Sequence, residues 1–133
     1  MRLSLNKNLL FAEIEVEYKG FAAKIPRILV DTGSATTLLA TDAVIQIGIA
    51  PEPEDTLYLI RGVGGCEAVF ARRMDCFKLG DAAISDFIVE IGGMDYGFPI
   101  NGIVGMDFLL QTEAMLDLRD CEIKFPPTKA SLP

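Results

Sequence analysis

Polar and apolar residues alternate strictly over Glu13-Ile14-Glu15-Val16-Glu17-Tyr18. Ile14, Val16 and Tyr18 share one face and the three glutamates the other, which predicts a half-buried strand with its acids in water. Lys19-Gly20 predicts a turn, and Phe21 to Ile25 a returning strand. Pro26 has no amide hydrogen to give a ladder, so the next stretch is expected to be an edge or a fresh start. Arg27-Ile28-Leu29-Val30 predicts a short buried strand running into the turn cluster Asp31-Thr32-Gly33-Ser34. Thr41 to Gly48 predicts a short helix, capped by Thr41 or Asp42 and closed by Gly48.

Pro51 and Pro53 mark a loop. Beyond it, Leu57 to Ile60 and Glu67 to Phe70 flank Arg61-Gly62-Val63-Gly64-Gly65-Cys66, a hairpin with a glycine-rich tip. Asp75 to Leu79 and Phe87 to Ile91 flank Gly80-Asp81 as a further hairpin or wide loop. Ile103-Val104 predicts a buried strand ending at Gly105, and Met106 to Gln111 one or two helical turns. Met115 to Leu118 and Cys121 to Phe125 predict a last hairpin around Arg119-Asp120. Many short strands with closely spaced turns predict an all-β, barrel-like domain with one or two short helices. One domain over 1–133 is expected, with a core over about 11–125 and a loose tail over 126–133.

Composition narrows the chemistry. The chain has 133 residues, enough for a core without disulfides or metal, and a net charge of -7. An acidic surface disfavours nucleic acid and anionic membrane. No stretch approaches the roughly 18 apolar residues of a membrane-spanning helix. There are three cysteines, Cys66, Cys76 and Cys121, with no CxxC spacing, and no histidine. A histidine metal site, a Ser-His-Asp triad and a Cys-His pair are therefore excluded, and acid-base work falls to Asp, Glu, Lys, Tyr or Cys. With no secretory leader read at the start, a reduced, cytoplasmic setting is expected.

The Asp31 turn is the strongest chemical candidate. A carboxylate just past a buried strand is rigidly held and partly desolvated. Gly33 lets the backbone turn tightly and approach a ligand. One carboxylate alone can do little, but two brought together share a proton. The ionised member can then take a proton from water while the other donates to a carbonyl oxygen, and their titration belongs to the pair.

Ile28-Leu29-Val30-Asp31-Thr32-Gly33-Ser34 resembles the active-site motif of the pepsin and retropepsin superfamily. Ile60-Arg61-Gly62-Val63-Gly64-Gly65 resembles the retropepsin flap. Gly102-Ile103-Val104-Gly105-Met106-Asp107-Phe108-Leu109 resembles the segment that crosses behind the catalytic loop and enters a short helix. The three occur in order and cover roughly 12–125. The resemblance implies a closed retropepsin-like barrel serving as one half of an aspartic endopeptidase. It implies that Asp31 is the catalytic carboxylate, that Thr32 braces the two catalytic loops across a dimer axis, and that Gly33 lies against the carboxylates. It further implies that Ser34 hydrogen-bonds the outer oxygen of Asp31, and that Val63 and Gly64 offer flap-tip N–H groups to substrate. Ile103 and Val104, with Gly105 behind them, would support the catalytic floor. The chain carries one Asp-Thr-Gly and no second copy, so a C2 homodimer is implied, with a peptide substrate and no metal or cofactor.

Three departures accompany the match. Arg61 stands where retroviral enzymes often have glycine, Cys66 follows the flap tip, and the last hairpin is longer than their C-terminal strand. The rival reading is a peptide-binding or dimerisation module on the same fold without cleavage. A phosphate loop at Gly62–Gly65 is disfavoured because no Lys-Ser/Thr follows and no helix opens there. Use of Asp31 as a phosphotransferase nucleophile is disfavoured because position 33 is glycine rather than a second acid. For Asp107 the plain expectation is capping or solvation of the short helix. Glu13, Glu15 and Glu17 are read as a solvated face, and Cys66 as an exposed bystander.

Overall fold

The computed structural model describes residues 1–62, 65–94 and 97–127, with backbone alone for 60–62 and 65–67. The chain opens on a hairpin the sequence pattern did not announce. Strand β1 (Ser4–Asn6) pairs antiparallel with β2 (Leu9–Tyr18). The two linking residues, Lys7 and Asn8, both take positive φ (52° and 64°). That is the handedness a two-residue hairpin requires, usually met by glycine or asparagine, which is why the Lys7-Asn8 pair gave little signal.

Strand β2 alternates as expected, burying Ile14, Val16 and Tyr18 and leaving Glu13 and Glu17 to solvent. It pairs with β3 (Phe21–Val30) through the Lys19-Gly20 turn. Contrary to expectation, Pro26 does not end that strand. The register steps between Ala12↔Ile28 and Ile14↔Ile25, so Glu13 faces both Pro26 and Arg27 in a bulge, with Arg27 at φ 60°. A bulge places the missing amide where no ladder bond is needed. The segment before residue 102 ties it down. Asn101 Nδ2 donates to the Pro26 carbonyl (2.8 Å), the Asn101 N–H to the Arg27 carbonyl (2.9 Å), and the Arg27 guanidinium to the Pro99 carbonyl.

Past the bulge, Ile28–Val30 run parallel to β8 (Gly102–Val104), which is antiparallel to β4 (Leu38–Ala40). Strand β4 lies parallel to β7 (Ala82–Gly92), β7 antiparallel to β6 (Gly65–Leu79), and β6 returns to β2 through Val16↔Phe77. The pairings therefore close into a ring of strands, with β1 and β5 (Tyr58–Gly62) attached at its borders. The expected all-β, retropepsin-like domain is what the chain forms. Two strand assignments change. Strand β4 was not anticipated, because three residues are too short to show a period. The segments expected separately at Glu67–Phe70 and Asp75–Leu79 are one 15-residue strand. Arg72 and Arg73, between the two expected segments, lie on it, and both guanidinium groups find carboxylates.

Helix α1 (Thr41–Val44) continues into a 3-10 turn over Ile45–Ile47, and Gly48 closes it at φ 88°. Its cap position is Ala40 with no side-chain bond, so Thr41 and Asp42 sit inside the first turn rather than at the cap. Asp42 there still favours the helix, because its charge opposes the positive end of the dipole. Helix α2 (Met106–Gln111) and the hairpin of β9 (Met115–Asp117) and β10 (Glu122–Lys124) fall where expected. Residues 1–3 fold back on β10. The Leu3 N–H donates to Cys121 and the Ile123 N–H to Met1, and Leu3 is buried.

Inside the sheet ring, the side chains of Phe77, Phe87 and Phe108 pack edge-on or tilted at centroid distances of 5.2–5.8 Å among Ile14, Ile28, Leu39, Ile91 and Ile123. Because strand side chains alternate, Leu29 and Ile103 point the other way. With Phe11 and Ile100 they form a second, smaller cluster on the opposite face, flanked by Leu9, Met94 and Phe98.

Candidate active site

Asp31 stands one residue beyond β3, and its N–H donates to the Val104 carbonyl (3.0 Å), extending the parallel ladder. The chain then reverses. The Gly33 N–H donates to Asp31 Oδ1 (2.8 Å) and the Ser34 N–H to the Asp31 carbonyl (3.2 Å). A Cβ on residue 33 would come 3.1 Å from Asp31 Oδ1, so glycine lets the backbone close on the carboxylate. Asp31 is half-buried, while Thr32 and Gly33 are exposed. Ser34 Oγ donates to the Thr36 carbonyl (2.7 Å), so within this chain it braces the loop rather than the outer oxygen of Asp31.

The loop and helix α2 are built against each other. The cap residue of α2, Gly105, has no side chain to cap it; instead Met106 N–H donates to the Ser34 carbonyl (2.8 Å) and Asp107 N–H to the Ala35 carbonyl (3.2 Å). This contact needs Gly105, where a Cβ would lie 2.3 Å from the Thr36 carbonyl oxygen. Thr37 is the buried polar side chain among the described residues. Its Oγ1 donates to Asp107 Oδ1 (2.7 Å) and accepts from the Gly105 N–H (3.1 Å), while its own N–H donates to Asp107 Oδ2 (3.0 Å). Asp107 also accepts from the Phe108 N–H. Asp107 is thus the tie between the loop and α2, not merely a solvated first-turn acid. Both its oxygens are occupied by this loop, so it is not a partner carboxylate for Asp31.

Sequence reasoning missed Thr37 altogether. Thr37 and Asp107 are 70 residues apart, and nothing local marks a buried threonine. The Asp107 half was discoverable only by asking why an acid follows Gly105-Met106.

The expected site segments are brought together in part. Asp31–Ser34 and Ile103–Gly105 are adjacent through the β3–β8 ladder. Val104 packs inside the ring and Ile103 in the smaller cluster beside Leu29. Ile60, Arg61, Gly62 and Gly65 lie on the β5–β6 hairpin, where Gly62 pairs with Gly65. The flap-tip residues Val63 and Gly64 lie outside the described residues. Towards its base the hairpin joins the row that carries the exit strand of the Asp31 loop, since Gly92 pairs with both Val69 and Ala40.

That base is fixed by charge. Arg72 pairs with Asp55 (2.5 Å) and Glu52 (3.0 Å), donates to the Ala50 carbonyl (3.1 Å) and stacks 5.1 Å from the Phe70 ring. Burial works against its charge, but Asp55 and Glu52 outweigh it and raise its pKa. The loop leading into β5 is thereby stapled to β6. On β5 itself, burial and the Glu90 carboxylate push the Tyr58 hydroxyl up.

Among the described residues no group of three or more His, Cys, Asp or Glu is placed to hold a metal. What the site offers is one rigid carboxylate, its orientation set by main-chain bonds, at the end of a parallel strand pair and beside an apolar cluster. That arrangement is the one the aspartyl protease fold is built around, and the profile of the aspartyl protease family matches residues 14–108, from β2 into α2. The chain belongs to that family. A search of curated proteins gives no match.

Proposed function

We propose that the protein is an aspartic endopeptidase whose active centre is completed by a second copy of the chain, each supplying one Asp31. The observation that carries this is the held geometry of Asp31: its N–H is fixed to Val104, its Oδ1 to the Gly33 N–H, and the neighbouring acid Asp107 is fully used elsewhere. The carboxylate is prepared for chemistry that needs a twin, and one chain provides only one.

In the proposed reaction, two Asp31 carboxyls share a proton. The ionised one accepts a proton from water as the water attacks the scissile carbonyl carbon, and the protonated one donates to the carbonyl oxygen. The tetrahedral diol collapses when the amide nitrogen takes a proton and leaves, restoring the shared proton. No covalent intermediate with the enzyme forms. Substrate lies extended beneath the β5–β6 hairpin, paired through backbone bonds. The cluster of Phe11, Leu29, Ile100 and Ile103, with partly exposed Leu9, Met94 and Phe98, supports a preference for apolar side chains next to the scissile bond. Cys76 and Cys121 are free thiols, which agrees with the proposed reducing, cytoplasmic setting.

The test is cleavage of an apolar-rich peptide library by the wild type and by Asp31→Ala. The proposal expects cleavage products from the wild type and none from the variant, with the circular dichroism spectrum unchanged. Peptides bound but not cut by either protein would instead establish a binding module.

A further inference from the structure

Strand register carries one row of side chains from the Asp31 strand to the β5–β6 hairpin. Phe11 pairs with Leu29, Leu29 with Ile103, Ile103 with Leu38, Leu38 with Glu90, and Glu90 with Ala71. Partners in register point to the same face of a sheet, so the row stands on the face of the smaller apolar cluster, opposite the main core. Phe11, Leu29, Ile103 and Leu38 are apolar and buried. Where the row reaches β7, Glu90 puts a carboxylate at its end.

Glu90 is half-buried, and its Oε2 is shut off from solvent yet accepts no hydrogen bond among the described residues. Nor does Glu90 join an ion pair among them. Its row neighbours Leu38 and Ala71 have no side-chain donor. Arg73, two residues along β6 on the same face, is held by Asp75 and Asp86. Tyr58 belongs to the next row, Ala40–Gly92–Val69–Tyr58, on that face. Its hydroxyl is near enough to feel the Glu90 charge but brings no positive charge to it. A carboxylate oxygen withdrawn from water without a donor is unfavourable, and a cation is the partner that best relieves it.

Resting on the endopeptidase reading above, we propose that Glu90 is a specificity-determining residue that receives a lysine or arginine side chain of the extended substrate, outward of the apolar residues at the scissile bond. Strands stand ~4.8 Å apart, so Glu90, three strands from Leu29, is roughly 14 Å away, about four residues of extended peptide. A long basic side chain shortens the path its own backbone must cover, which places the cation about two to four residues from the cut. The apolar stem then lies along Leu38, and the charged head supplies the donor that Oε2 lacks. The net charge of -7 also attracts basic peptides.

The experiment uses peptides with the same apolar scissile pair and Arg, Gln or Glu two to four residues from it. The kcat/KM of each is measured with wild type, Glu90→Gln and Glu90→Lys, and its Kd with the Asp31→Asn chain, circular dichroism confirming each fold. Wild type is expected to favour Arg over Glu at least about tenfold, in cleavage and in binding. Glu90→Gln should bring the two within about threefold, and Glu90→Lys should favour Glu, a reversal that a merely structural residue would not produce. A wild type that cuts all three peptides alike, or variants that keep its preference, would overturn the role of Glu90 and leave the endopeptidase standing. Arg peptides bound in preference to Glu peptides but never cut would remove the endopeptidase and support the role of Glu90. Peptides neither cut nor bound would overturn both.

Discussion

At the residue scale, the Asp31 turn depends on two positions away from the carboxylate itself. Thr37 satisfies the Gly105 amide and both oxygens of Asp107 from inside the protein. Thr37→Val keeps the volume but leaves the Gly105 N–H unpaired and takes from Asp107 Oδ1 one of its two donors, so it should cost about 2 kcal/mol. Thr37→Ser should cost less than half of that. Urea denaturation followed by circular dichroism measures both; equal midpoints for valine and wild type would show that the tie carries no weight. Gly105→Ala should be far worse, about 3 kcal/mol or more, because the added Cβ meets main chain that cannot step aside. Much of the site was legible at this scale. An acid after Ile28-Leu29-Val30, followed by Thr32, Gly33 and Ser34, reads as a rigid turn from local pattern alone. The role of Ser34 was not, because the choice between the Asp31 carboxylate and the Thr36 carbonyl is made by the loop's path. Thr37 was invisible because its partners are long-range.

At the element scale, strong periods were readable and short or interrupted ones were not. The alternation over 13–18, the hairpins at Gly62–Gly65 and Gly80-Asp81, and helix α2 all appear where pattern put them. Pro26 misled because a bulge, fixed by Asn101 and Pro99 from elsewhere in the chain, absorbs it. Strand β6 was expected as two shorter strands, Glu67–Phe70 and Asp75–Leu79, and sequence cannot show that Asp55 and Glu52 come to meet Arg72 between them. It follows that Arg72→Met should release the loop into β5. Amide exchange over 50–58 should speed up while that of β7 and β8 stays unchanged, as hydrogen-exchange mass spectrometry can measure. The C-terminal hairpin carries its own pH dependence. Asp117 accepts from the Asp120 N–H, then from Lys124 and the Arg119 N–H, and these lower its pKa below the ordinary 3.8. A carboxyl lowered on folding stabilises above its unfolded pKa, and that contribution is lost as pH falls through the folded one. Asp117→Asn should therefore melt below wild type at pH 6, and the gap should close in acid as the pH falls from 3.8 through the lowered folded pKa. A gap that persists unchanged in acid would remove the carboxylate from the account.

At the scale of the whole molecule, strand count and turn spacing foretold an all-β domain, and the pairing of β6 with β2 closes it into a ring. The single Asp-Thr-Gly already implied that one chain supplies only half of the proposed active centre. Among the described residues the ring holds one Asp31 turn and one β5–β6 hairpin. The central claim is that catalysis needs an Asp31 from each of two chains, and mixing tests it directly. Wild-type chain is held at fixed concentration, near the midpoint of its own association, while Asp31→Asn chain is added in increasing excess, and the initial rate of peptide cleavage is measured. Paired carboxylates predict that the rate falls towards zero as each wild-type chain is captured by an inert partner. A rate that stays constant under a large excess would mean that each chain works alone, and would contradict the account.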